Sequence, residues 1–226
     1  VPSSFIEENG QGYEARIEKL NRVIEKCRRY GIGVYIFAIE PIGFSHEMAE
    51  KHPDMCGIPT YLGMTFCVNI EKNKKYCYEA GNRLVKLAPK LAGFISITYG
   101  ERPTGCTSTA DHKRCPRCGQ KSHGEALGDL VEALRSGIRD ANPDCEVISW
   151  TYGARGRILH SQNWKKDIDD YVRCAPDDVM LMQNFDDMGY MEQLGKLRQS
   201  EDYWLSYVGP SELFTHTAEQ AKKHGK

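Results

Sequence analysis

The sequence predicts an α/β protein of the (β/α)8-barrel type, in which about five of the eight strands are visible. Three observations lead there. Strand-like and helix-like segments alternate along the chain, and each parallel pairing needs a helical crossover to bring the chain back. The strand segments are apolar on both faces, as parallel strands covered by helices are. Polar and aromatic groups collect where the strands end: Glu40, Glu101, Trp150 with Tyr152, Asn184 with Asp186, and Ser206 with Tyr207. A doubly wound nucleotide fold would place a glycine-rich turn after its first strand, and "AIEPIGFSHE" is not one.

The elements follow in order. Residues 14–30 carry Ile17, Leu20, Ile24 and Cys27 at helical spacing, and Gly31 follows as a stop. The apolar run "GVYIFAIEP" is the first strand and ends in Glu40 and Pro41. A second helix over about 71–89 leads into the strand "GFISITYGE". A third carries Leu127, Leu130, Val131, Leu134 and Ile138 and passes through Asn142-Pro143 into "CEVISWTYG". The stretch "KKDIDDYVRCAP" then precedes the strand "DVMLMQNFDD". A short helix near 189–199, the strand "DYWLSYVGP" and a final helix over about 214–224 complete the alternation. A whole barrel takes about 250 residues. The 226 residues are therefore expected to be a single domain, 1–226, holding roughly strands three to seven of a barrel whose remaining segments lie in a longer chain.

Composition excludes several classes. The formal net charge is -1, with no long run of one sign, so neither nucleic acid nor an anionic membrane is an expected partner. No apolar run approaches the roughly 20 residues of a membrane helix. The first residues lack the apolar centre of a signal peptide. Nine cysteines is a high and odd number. Their scatter through helices and strands reads as about five small buried residues rather than a disulfide framework, and such reduced cysteines favour a cytoplasmic setting.

The loop at 102–124 is different. Cys115-Pro-Arg-Cys118 has the two-residue spacing of a zinc knuckle, and Cys106 adds a third thiolate. A closed structural zinc site needs a fourth ligand. His123 ranks first, His112 second and Cys67 third. A disulfide, or free thiols, are the competing readings of the same residues. About 20 residues with little apolar content cannot order themselves by core burial, and a bound metal would pin them behind Glu101.

The runs "YGIGVYIFAIEP", "GMTFCVN" and "LAGFISITYGE" together resemble the catalytic barrel of glycoside hydrolase family 20, the β-N-acetylhexosaminidases. They are closer still to uncharacterised bacterial relatives with a Cys-x-x-Cys loop after strand four. The resemblance implies a carbohydrate substrate and makes Glu101 the general acid. Gly100 stands where family 20 has the Asp that orients the acetamido group.

Glycoside cleavage takes a protonated acid and a second group that attacks or stabilises the anomeric carbon. After Glu101, Asp186 is the first candidate for that second carboxylate and Glu40 the next; Asp187 is expected to point elsewhere. Tyr99, Trp150 and Tyr152 could wall the apolar face of a sugar. Arg102, Asn184 and Tyr207 are candidate hydroxyl ligands. Three functions are therefore weighed: a glycosidase, a carbohydrate-binding barrel without chemistry, and a metal-dependent sugar isomerase. The third needs strand-tip histidines, which the chain lacks. A further variant makes the metal catalytic, with Glu101 a ligand and a thiolate the nucleophile.

Overall fold

The computed structural model describes residues 1–38, 43–97, 105–109, 112–152, 163–200 and 209–226. Four strands form one sheet in the order β1 (Tyr35–Ala38), β4 (Gly93–Ile97), β5 (Glu146–Trp150) and β6 (Met180–Met182), and every pairing is parallel. The order in space is the order in the chain. Helices α3 (Glu71–Leu87), α4 (His123–Ala141) and α5 (Trp164–Cys174) lie between these strands in the chain, with α1 (Tyr13–Arg28) before them and α6 (Glu212–Lys223) after.

Alternation along each strand gives the sheet two unlike faces. Ile36, Phe94, Val147 and Leu181 pack on one side into a core with Ile24, Leu127, Val131, Ile138, Ile168 and Leu213 from the helices. Tyr171 of α5 closes this side, and its hydroxyl hydrogen-bonds Ser149. The opposite side carries Phe37, Ile95, Ile148 and Met180 in one register row, and Ile97, Trp150 and Met182 in the next. That side is poorly covered: Phe37 is 54% exposed, Met180 45% and Met182 40%.

Local chemistry explains the helices. At the start of α4 the Ser122 hydroxyl accepts from the Glu125 N–H while the Glu125 carboxylate accepts from the Ser122 N–H, a reciprocal cap on two otherwise orphaned donors. Behind it Leu127, Leu130, Val131, Leu134 and Ile138 form one buried face. The α3–α4 crossing is a backbone contact. A Cβ on Gly137 would stand 2.0 Å from the Tyr78 carbonyl oxygen, and one on Gly81 would stand 2.9 Å from that of Leu134.

Several expectations need correction. The expected α/β alternation, parallel pairing and sequential strand order are present in a four-stranded sheet, and the described residues form no closed barrel. The strand expected at 202–208 lies outside the described residues. The helix expected near 189–199 is instead a hairpin of β7 (Tyr190–Gln193) and β8 (Lys196–Gln199). Its turn residues Leu194 (φ 53°) and Gly195 (φ 70°) are both left-handed, the geometry of a two-residue primed turn. Leu194 and Leu197 are 91% and 73% exposed, so no buried stripe exists there to hold a helix. Two elements had no clear signal in the sequence: the short α2 (His46–Lys51), and an antiparallel hairpin of β2 (Cys56–Thr60) and β3 (Gly63–Phe66).

Gly137→Ala should destabilise the protein by about 1–3 kcal/mol, the usual cost of overpacking, read as a lower urea midpoint. An unchanged midpoint would mean that the two helix backbones do not touch there.

Candidate functional site

Two groups of side chains stand out, and the first is made of cysteines. Cys67 directly follows β3; Cys106 and Cys118 each open a short 3-10 turn, and Cys115 lies between them. All four are buried, and their sulfurs lie within 4.8 Å of one another. The Cys67 sulfur is 3.7 Å from that of Cys115 and 3.6 Å from that of Cys118. Such a set could hold one metal ion. Its local structure is a knuckle: the Cys118 N–H points at the Cys115 sulfur (3.4 Å), and the Gly119 N–H donates to the Cys115 carbonyl (2.8 Å). Gly119 must be glycine, because a Cβ there would meet the Lys113 carbonyl oxygen at 2.5 Å.

A shell of polar groups orients the sulfurs. Thr65 accepts from the Ile58 N–H at 2.9 Å, which leaves its hydroxyl proton for the Cys106 sulfur at 3.2 Å. The Asn69 amide donates to the Cys118 sulfur at 3.4 Å. Buried Asn73 donates to the carbonyls of Met55 and Cys67, both at 2.8 Å, and so fixes the exit from β3. Hydrogen bonds from Cys106 and Cys67 hold the Cys118 thiol below the ordinary thiol range. Cys106 is correspondingly pushed up, first by its bond to Cys118. For Cys67, the bond with Cys106 pulls downward but is outweighed by Cys118, burial and the neighbouring thiols. A divalent cation held by the four sulfurs would favour their thiolate forms.

The fourth position corrects the order of preference among ligands. Cys67, ranked third in the sequence, completes the set, and His123 does not join it. The capping box fixes His123 as the first residue of α4, and its Nδ1 lies 3.9 Å from Asp167 of α5. The side chain of His112 lies outside the described residues. Without the β2–β3 hairpin in view, nothing in the spacing could bring Cys67 to a loop 48 residues away.

The second group lies at the C-terminal ends of the sheet strands. The indole N–H of Trp150 donates to Asn184 Oδ1 at 2.6 Å, tying β5 to the exit of β6. The Trp150 ring is 5.7 Å from that of Phe37 and 5.1 Å from that of Tyr152, tilted in the first case and edge-on in the second. The structure therefore joins Trp150, Tyr152 and Asn184, and adds Phe37, which the sequence analysis missed. Its alternation with Ile36 along "GVYIFAIEP" was the available signal. Asp186 is half-buried, and its backbone carbonyl accepts from the Ser200 hydroxyl and the Gly189 N–H. Asp187 is the more enclosed of the two, fully buried. Glu40, Tyr99, Glu101, Arg102 and Tyr207 lie outside the described residues. Compared with protein-family models, curated proteins and solved structures, the chain gives no match.

Thiol burial gives a direct check. Cys27, Cys56 and Cys174 are partly exposed, and the other six cysteines are buried. A bulky disulfide reagent should label at most those three in the native protein, and slowly at Cys56 and Cys174, whose thiols burial pushes up. The remainder should react only after unfolding. Rapid native labelling of Cys115 or Cys118 would place the cluster at the surface.

Proposed function

We propose that the chain is the central part of a (β/α)-barrel glycoside hydrolase, with its sugar site at the C-terminal ends of the parallel strands. The observation that carries this reading is the partly exposed apolar face of the sheet, where Phe37, Met180 and Met182 meet water and which ends in Phe37, Trp150 and Tyr152. Parallel sheets are buried on both faces, so this face calls for a cover. Phe37 on β1 and Trp150 on β5 belong to alternate strands and meet over β4, as side chains in the layers of a barrel interior do. Further strands of the same barrel, from a longer chain, are the fitting cover.

At such a site the Trp150 and Tyr152 rings offer apolar faces to a sugar's C–H groups. The Trp150–Asn184 bond sets the ring's orientation. Glu101, four residues beyond the last residue of β4, is the general acid in this reading, and Asp186 or Glu40 the second carboxylate. The ion of the cysteine cluster is zinc in a structural role. Four cysteines form a closed set with no open coordination position, which argues against a catalytic metal with a thiolate nucleophile.

Glu101→Gln should lower turnover of unactivated glycosides by roughly 10²–10⁴-fold, as loss of a proton donor does, and should leave sugar binding intact. Trp150→Ala should weaken binding more than it slows turnover. The measurement is a glycoside panel assayed with the complete polypeptide. Full activity of Glu101→Gln on a poor leaving group would overturn the assignment. Sugar binding without turnover in the wild type would mark a barrel that binds carbohydrate and has lost its chemistry.

A further inference from the structure

The four cysteines come from segments far apart in the chain. Cys67 lies 48 residues before Cys115 and 51 before Cys118. It leaves the β2–β3 hairpin, which follows β1, whereas Cys106, Cys115 and Cys118 follow β4. Because β1 and β4 are neighbours in the sheet, the cluster sits where the connections from two adjacent strand ends meet. The backbone shows the same junction: Phe66 of β3 forms a parallel bridge with Gly105, and Met64 bridges Phe44 just beyond β1.

We propose that these sulfurs form a two-segment metal staple, in which a tetrahedral thiolate-bound zinc locks the β2–β3 hairpin onto the connection behind β4. The inference rests on the zinc reading above and is independent of the glycoside chemistry. Zn–S bonds of about 2.3 Å place tetrahedral sulfurs roughly 3.8 Å apart. The observed separations of 3.7 and 3.6 Å are close to that edge length. A disulfide would instead need one pair near 2 Å, and all nine cysteines are free.

The hairpin is shaped to the cluster. A Cβ on Gly57 of β2 would lie 2.5 Å from the Cys106 sulfur and 2.4 Å from Thr65 Oγ1, so β2 packs its bare backbone against the site. Thr65 and Asn69 flank Cys67 in sequence and point at the sulfurs of Cys106 and Cys118, which belong to the other segment. Hydrogen bonds to thiolates spread the negative charge of a four-thiolate site. Gly57, Thr65 and Asn69 are therefore positioning residues that couple the hairpin to the metal. The staple fixes the chain from Gly105 onward, while β4 fixes it up to Ile97.

The test uses the whole chain with zinc, with cobalt(II) in its place, and after chelation. Cobalt bound by four thiolates has a distinctive visible spectrum. It should be unchanged in His123→Ala and altered in Cys67→Ser; the opposite pattern would overturn the assignment of Cys67. Thr65→Val should weaken metal retention by about 10–100-fold, the usual effect of removing a group that orients ligands. Because a cysteine variant can fail to fold, amide hydrogen exchange of the wild type supplies a second reading. Chelation should speed exchange in both 56–66 and 105–120. Faster exchange in 105–120 alone would overturn the staple and leave the zinc reading standing. A chain that retains no zinc or cobalt would overturn both.

Discussion

The main sheet and its helices follow from one constraint: four parallel strands can share a sheet only if helices carry the chain back between them. Each return places a helix on the same side, so Ile36, Phe94, Val147 and Leu181 meet one continuous layer made by α1, α3, α4, α5 and α6. The same constraint makes all four strands end on one edge. Side chains just past those ends are brought together whatever their separation in the chain. Trp150 and Asn184, 34 residues apart, meet at 2.6 Å for that reason.

The two faces of the sheet are stabilised very differently. On the helix side, close packing is tight enough for backbones to touch, and glycines at 81 and 137 permit it. On the other side Phe37, Met180 and Met182 remain in contact with water, which leaves apolar area unburied at roughly 25 cal/mol per Å². At the end of that face the rings of Phe37, Trp150 and Tyr152 lie against one another, the feature on which the proposed sugar site rests.

The cysteine cluster solves a separate problem. The connection behind β4 is rich in charged and small residues, and among its described residues the buried apolar side chains are those of Cys106, Cys115 and Cys118, which pack with Ile58 and Cys67. Such a segment cannot offset its conformational entropy by hydrophobic burial. Four sulfurs at metal-binding distance from one another, held by Thr65, Asn69 and a knuckle turn, supply a different source of order.

Much of this was legible in the sequence because it depends on local pattern. The helical spacing of Leu127 to Ile138, the apolar runs of β1, β4, β5 and β6, and the Cys115-x-x-Cys118 spacing each express short-range geometry. The sequence by itself determined the α/β alternation, the parallel pairing it requires and three of the four clustered cysteines. Only the tertiary structure decided the fourth, because Cys67 reaches the knuckle through a hairpin whose short strands carry no periodic signal. It likewise turned 190–199 from a helix into a hairpin, since a segment whose leucines stay exposed has no buried face to hold a helix. Phe37 became part of the strand-end cluster for the same reason in reverse. Its partner Trp150 lies two strands away, and contacts across a sheet are set by register, which a single strand's residues do not encode.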